Sequence, residues 1–517
     1  MIKSMNAAWW VERWSELTPN KCAVLFEGQV TTYRDLQRRA DQTACWLQSL
    51  GVEKGDRVAV LLHNCPEFLD LYLSCARLGA IFVPLNFRLQ APELRYLLGN
   101  CRPRLFVFDG QYQSKLGELA LVDRRSPMLL AAVGECAAGT PGQRIHPMGE
   151  REEFEGEKPF LTSSLAPSDP EEPHVIMYTS GTTGDPKGAV LSHRKTFFNC
   201  LNADIFFQLQ SDDVMLVVLP LFHSGGLFIQ ASPVLYKGAT MLLHPRFDPV
   251  RVYRDIEEAG VTKFLAVPTV CRAMLQVPPS ERASLASLRV AAVGGEKTTV
   301  ELLAECREAG FSLRQVMGQT ETSILLWASE EDALSRPGTL GKPVFHAEVR
   351  LVDSAGSVVP PGAVGEIVAR GSILMKEYWQ DPERTEHTLR GGWLHTGDLA
   401  RRDGDGYFYF VDRQKDLYIS GGENVYPAEV ERVLRAHPAV QDAAVVGVPD
   451  PSWGEVGHAY VIACPGCEPG EEELRAFCQG QLAKFKIPAR FSFCREFPLT
   501  ALGKVRKHDL ARTPADR

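Results

Sequence analysis

No stretch of this 517-residue chain approaches the ~18 consecutive apolar residues that cross a bilayer, which argues against a helical membrane protein. The first twenty residues, MIKSMNAAWWVERWSELTPN, lack a continuous apolar segment and a small-residue cleavage site, so no secretory leader is expected. A soluble, cytoplasmic protein is the expectation, with peripheral membrane contact left open. A basic block is also missing: Lys+Arg number 56 against Asp+Glu 64, a net charge of −8, and the charges are dispersed. Nucleic acid is therefore not an expected partner, because phosphate binding wants a clustered basic face. Paired cysteine spacing is scarce as well. The 13 cysteines are odd in number and sit in or beside apolar stretches, as reduced cysteines do. The one C-x-x-C, Cys464 to Cys467, stands in a Pro/Gly turn with no second pair at zinc spacing. Repeats and low-complexity segments are absent too.

What is present is the alternation of short β-rich runs with helical periodicity, over a length that calls for two or more domains. The fold class expected is α/β with several sheets, followed by a small α+β domain. Thr32 to Leu50 shows the helical half: Thr32 and Asp35 form a capping box, Leu36, Ala40, Thr43, Ala44 and Leu47 share a face, and Gly51 stops it. Runs at 57–62, 105–108, 175–180, 214–221, 240–244, 263–267 and 289–295 read as strands, several apolar at consecutive positions as strands covered on both faces are. The stretch from about 134 to 173 reads as an irregular connector. From GEIVARG onward the strands shorten, and YPAEVERVLRAHP and EEELRAFCQGQLAKF read as helices of the last domain. The expected boundaries are 1–411 for a large N-terminal domain, 412–416 for a hinge and 417–517 for a mobile C-terminal domain.

One loop carries the chemistry. In YTSGTTGDPKG, Tyr178 to Gly188, glycines free backbone N–H groups to face an anion, hydroxyls add donors and Lys187 adds charge, a set suited to polyphosphate. The P-loop spacing is absent, since Gly188 and not a hydroxyl residue follows the lysine. TSGTTGDPKG closely resembles the phosphate-binding signature of the adenylate-forming (ANL) superfamily of acyl-CoA synthetases, nonribosomal adenylation domains and luciferases. LPLFHSGG (219–226), GGE (294–296), VMGQTE (316–321), WLHTGDLA (393–400), VDRQKDLYISGGENVYPAEVE (411–431) and PLTALGKVRK (498–507) resemble that family's later segments, in its order.

The resemblance implies a carboxylic acid activated by ATP with Mg²⁺ and passed to CoA. It implies nucleotide contacts from Thr179, Ser180, Gly181, Thr182, Thr183, Gly184, Lys187, Gly295, Glu296, Val316, Met317, Gly318, Gln319, Thr320, Asp398, Arg413 and Lys504. Glu321 and Thr179 are expected at the metal, a hard cation that takes oxygen ligands. Asp398 is expected on the ribose hydroxyls. Lys504, His223, Glu321 and Lys187 are the expected catalytic groups, Lys504 bridging carboxylate and α-phosphate. Lys415 is expected at the hinge, and Gly421, Gly422, Glu423 and Asn424 beside the pantetheine of CoA. Phe222, His223, Phe228 and Gly294 are expected around the acyl group, with Trp327 a further candidate. Met317 stands where relatives carry an aromatic ring against adenine, and its thioether can pack on a purine.

The hinge stretch and SILMKEYWQDPERT look most like medium- to long-chain fatty-acyl-CoA ligases, which is the expected activity. Ile419, where many hydroxycinnamate ligases have lysine, tilts the reading away from an aryl or hydroxycinnamic acid, which stays as an alternative. A freestanding enzyme loading a carrier protein, luciferase-type oxygenation and a non-catalytic acyl-adenylate sensor complete the alternatives, and a homodimer stays open.

Overall fold

The computed structural model describes residues 3–119, 128–136, 144–156, 169–179, 186–295, 298–413, 418–425, 427–498, 505 and 507–510, with backbone only at 3, 116–118, 412, 413, 424, 428, 508 and 509. It has an α/β architecture. The described chain separates into two compact units, one of residues 1–87, 98–177 and 188–411, the other of 88–97, 178–187 and 412–517.

Two sheets dominate the first unit. The larger has six parallel strands at its centre, in the order Cys22–Phe26, Thr240–Leu243, Val214–Val217, Lys263–Ala266, Val290–Gly294 and Leu313–Gln319. The Val290–Gly294 strand is buried at every position, which explains the unbroken apolar reading of its sequence. At Leu313–Gln319 the sheet changes sense and continues antiparallel through Ser323–Ala328 and Thr339–Pro343. The second sheet pairs Arg57–Leu61 in parallel with Ile81–Pro84 and Leu105–Asp109, and carries Pro173–Thr179 and Lys187–Ser192 toward its other edge. The Tyr33–Ser49 helix starts at the expected capping box, with Thr32 Oγ1 accepting from the Asp35 N–H. In this helix Tyr33, Leu36, Ala40, Ala44 and Leu47 are buried in the common core.

The connector is less irregular than its composition suggests. Ile145–Pro147 adds a strand to the second sheet, and Met148–Phe154 is 3-10 helix. Arg151 of that turn reaches the fully buried Asp70 at 2.7 Å, and Arg39 meets the same carboxylate at 2.7 Å. An ion cluster of this kind pins a segment that has few apolar side chains of its own.

In the second unit a five-stranded sheet, counted over the described residues, contains the Val440–Asp450 and Gly454–Ala463 hairpin with Arg490–Phe493 beside it. Tyr418, Val430, Leu434, Val445, Val461 and Leu474 form its core. The helix expected over 471–485 is shorter, Glu471–Gln479, with Gly480 at its C-cap; Lys484–Lys486 is a separate 3-10 turn. All 13 cysteines are free. Among the described residues no helix is long and apolar enough to cross a membrane.

Candidate active site

The VMGQTE segment is a strand that turns sharply on itself. Leu313–Gln319 pairs antiparallel with Ser323–Ala328, with an irregularity between Met317 and Gly318. A Cβ at Gly318 would lie 1.7 Å from the Ser323 carbonyl oxygen, so only glycine fits there. The turn is closed by Thr322, whose Oγ1 accepts from the Gln319 N–H at 3.0 Å and whose N–H donates to the Gln319 carbonyl at 3.1 Å. Thr320 lies within it. Glu321 projects from this turn and is only 6% exposed. The Tyr378 hydroxyl donates to its Oε1 at 2.8 Å, and its carbonyl accepts from the Met375 N–H at 2.7 Å. Val316 lies upstream, paired with Gly294 and Trp327 in the neighbouring strands, and Met317 packs partly buried against the core.

Gln319 links this turn to the WLHTGDLA segment. Its Nε2 donates to Asp398 Oδ2 at 2.7 Å and to the Thr396 carbonyl at 2.9 Å. Asp398 is 1% exposed, and the turn before it is tied down by Glu366, which accepts from the Gly397 N–H at 3.0 Å and pairs with His395 at 2.7 Å. Gln319 thus ties the turn that carries Glu321 to Asp398, while the Glu321 carboxylate itself is held by Tyr378.

The LPLFHSGG segment is held by a residue outside it. Asn64, which follows the Arg57–Leu61 strand, donates to the Leu219 carbonyl at 3.0 Å and accepts from the Leu221 N–H at 2.8 Å. The Phe222 and His223 rings lie 4.4 Å apart, and Phe87 packs edge-on to Phe222 at 5.2 Å. Immediately after comes a π-helix, Gly225–Ala231, which buries Phe228. Asn199 of the His193–Phe207 helix donates to the Phe228 carbonyl. From the same helix Lys195, 1% exposed, donates to Ser323 Oγ at 2.6 Å, with its Nζ 5.8 Å from the Phe228 ring centre. Burial lowers the Lys195 ammonium to about 7, against the opposing pull of the Glu321 carboxylate.

The other expected residues divide between the units and the undescribed segments. Gly295 follows the Val290–Gly294 strand with φ +86°. Thr179 and Lys187 belong to the second unit, where Thr179 Oγ1 donates to the Lys187 carbonyl at 3.5 Å. In that unit Gly421 and Gly422 have φ +59° and +80°, in the tight turn between Tyr418–Ser420 and Glu423–Val425; a Cβ at Gly421 would meet the Trp453 ring at 2.5 Å. The buried Glu423 pairs with Arg88. Asn424 and Arg413 are placed by backbone only. Ser180, Gly181, Thr182, Thr183, Gly184, Glu296, Lys415 and Lys504 lie outside the described residues.

The pattern of the AMP-binding enzyme family matches residues 11–379, and that of its C-terminal domain matches 429–504. The chain belongs to the AMP-binding enzyme family. This AMP-binding enzyme is 39% identical over 512 residues to a feruloyl-CoA synthase from Amycolatopsis sp, covering 99% of both chains. It is 37% identical to an indoleacetate–CoA ligase from Aromatoleum aromaticum, over 99% of this chain and 98% of that one. Among solved structures, it superposes on the o-succinylbenzoate CoA synthetase of Bacillus subtilis in complex with a product analogue with a TM-score of 0.87 at 31% identity, over 98% and 99% of the two chains. The ANL resemblance and the α/β fold with a small α+β C-terminal part therefore hold, and the protein is an AMP-forming acid–CoA ligase that uses ATP and CoA.

The narrower fatty-acid expectation fares worse, because the high-identity relatives carry names of aryl-acid ligases; a fatty acid–carrier protein ligase matches at 34%. Several residues of this AMP-binding enzyme's site went unread in the sequence: Asn64, Tyr378, Lys195 and Asn199. Lys195 had a visible signal, since at helical spacing it falls on a buried face with Asn199 and Asn202.

Proposed function

We propose that the protein joins an aromatic acid, with the carboxylate on or beside an aryl group, to CoA through an acyl-adenylate. The observation that carries this reading is full-length similarity at 37–39% identity to ligases named for feruloyl and indoleacetate substrates. The Gln319–Asp398 bond and the buried Glu321 carboxylate held by Tyr378 support the adenylating half of it.

In the first step an oxygen of the acid attacks the α-phosphorus of ATP; the bond to the β-phosphate oxygen breaks and pyrophosphate leaves. Asp398, fixed by Gln319, accepts from the ribose hydroxyls and orients the nucleotide. Lys187 and the loop before it hold the leaving phosphates, and Lys504 neutralises charge between carboxylate and α-phosphate. Mg²⁺ fits Glu321, a buried carboxylate held by Tyr378 and so an oxygen ligand for a hard cation. When bound, the ion screens the phosphate charge. In the second step the CoA sulfur attacks the acyl carbon, the acyl C–O bond breaks, AMP leaves and the thiol proton is released. The Gly421–Asn424 turn lies beside pantetheine, Lys415 acts as hinge, and His223 with Phe222, Phe228 and Gly294 borders the acyl group.

The test is AMP formation with ferulic, indole-3-acetic, succinylbenzoic and decanoic acids, with and without CoA, the product read by mass. CoA-dependent turnover of an aromatic acid well above decanoic acid is expected. Preference for decanoic acid would restore the fatty-acid reading. An acyl-AMP that CoA never accepts would favour another acceptor.

A further inference from the structure

The His193–Phe207 helix is unusual in burying polar side chains along one face. Lys195, Asn199 and Asn202 follow one another at helical spacing and are each at most 2% exposed. Phe206 continues the face, its ring 5.6 Å from Trp327. Lys195 anchors the stripe to Ser323, two residues after Glu321, and Asn199 anchors it to Phe228, five residues after His223. The stripe therefore spans the segments that flank the acid-activating groups.

Two polar atoms on it have no hydrogen-bond partner among the described residues: Asn199 Oδ1 and Asn202 Nδ2. Their identities are set by the bonds their other atoms make. Asn199 must present Nδ2 to the Phe228 carbonyl, which leaves Oδ1 over. Asn202 must present Oδ1 to the His346 N–H, 3.1 Å away, which leaves Nδ2 over. A buried acceptor and a buried donor without partners are costly, and a folded protein retains such a pair where something else satisfies it. Residues three apart on a helix have Cβ atoms about 5–6 Å apart, so one small group can reach both. A hydroxyl has the matching chemistry, since its O–H donates and its oxygen accepts. A carboxylate has no donor for Asn199, and an ammonium has no acceptor for Asn202.

We propose that Asn199 and Asn202 form a hydroxyl-recognition subsite for the acid substrate, Asn199 Oδ1 accepting from the hydroxyl and Asn202 Nδ2 donating to it. The proposal rests on the reading of the chain as an acid–CoA ligase and narrows the acid to one with a hydroxyl remote from its carboxylate. The subsite lies about 6–10 Å along the helix from Lys195, which places that hydroxyl toward the far end of the acid.

The test uses acids differing by one hydroxyl: 4-hydroxycinnamic against cinnamic, 4-hydroxyphenylacetic against phenylacetic, and 10-hydroxydecanoic against decanoic. Each is measured by calorimetric binding and by CoA-dependent AMP formation. The wild-type protein should favour the hydroxylated member of at least one pair by roughly 10- to 100-fold in Kd and in kcat/KM. The phenolic and aliphatic pairs distinguish the two sources of hydroxyl. Asn202→Leu and Asn199→Leu should bring that ratio close to one, chiefly through KM, and Asn202→Asp, which keeps the size and removes the donor, should do the same. Wild-type ratios within about twofold for every pair would overturn the proposal, leaving the two atoms to a buried water; so would an undiminished ratio in Asn202→Asp. If the hydroxylated acids bind selectively yet none yields AMP, the subsite stands and the ligase reading falls. If nothing binds or turns over, both fall.

Discussion

Replacing Tyr378 by Phe removes one oxygen and leaves the ring, so it isolates the hydrogen bond to Glu321. That bond is 2.8 Å long, from a hydroxyl on a residue 2% exposed to a carboxylate on one 6% exposed. Hydrogen bonds to charged acceptors contribute about 1.5–3 kcal/mol, and a buried acceptor gains no water in exchange when its donor is deleted. The strand that carries Tyr378 is held independently by pairing with Val190 and Ala189, so the backbone has no reason to move. The lost bond should therefore fall on the orientation and desolvation of Glu321. If Glu321 holds Mg²⁺ with the ATP phosphates, kcat/KM for MgATP drops roughly 10- to 100-fold. The Mg²⁺ concentration for half-maximal pyrophosphate release should rise, and calorimetric binding of Mg²⁺ with a non-hydrolysable ATP analogue should weaken in parallel. KM for the acid should stay near the wild-type value. A Tyr378→Phe protein with an unchanged Mg²⁺ titration and unchanged kcat/KM would refute the assignment of Glu321 to the metal.

Gly318→Ala places a Cβ against the Ser323 carbonyl at 1.7 Å, so the turn carrying Glu321 must open; acyl-AMP formation should fall more than 100-fold with a lowered Tm, and a fully active variant would contradict the turn geometry. Asp70→Asn removes the carboxylate shared by Arg39 and Arg151 and leaves two poorly solvated guanidinium groups, a loss of about 3 kcal/mol or more by chemical denaturation. The pH dependence follows from two buried histidines whose rings stack 4.4 Å apart. Burial lowers His174 well below the ordinary histidine range and His193 to about 4. Both are neutral in the folded protein above about pH 6.5; as pH falls below that, the unfolded chain takes up protons that the folded one refuses, so stability is lost toward pH 4. His193 alone accounts for about 3 kcal/mol of that loss. Melting curves between pH 7.5 and 5 should show a shallower fall for His193→Gln, and equal slopes would contradict this account.

The Tyr33–Ser49 helix was readable because its capping box and apolar face are local facts, and the structure reproduces both. The parallel strands were readable for a similar reason, since burial on both faces leaves an apolar run. Strand order was not, because it depends on pairings between residues as distant as Val24 and Met241. The Glu321 and Asp398 segments were legible through motifs, but their shared contact runs through Gln319, and nothing local announces that its amide turns toward Asp398. The relatives favour the aryl-acid alternative over the fatty-acid expectation, and the reason is physical. The fatty-acid expectation rested on the hinge stretch and SILMKEYWQDPERT, whose expected roles lie away from the acid and are ones that ligases for many acids share. The residues proposed for the acyl side, Lys195, Asn199 and Asn202 of the His193–Phe207 helix, differ by being buried, and burial is a tertiary fact.

A single-turnover reaction with CoA withheld tests the central claim most directly. Enzyme in excess over ATP and an aromatic acid, quenched at intervals and read by mass, should accumulate acyl-AMP with one equivalent of pyrophosphate. Adding CoA should convert it to acyl-CoA and AMP. Formation of ADP and phosphate, or of acyl-CoA with no acyl-AMP before it, would contradict the account.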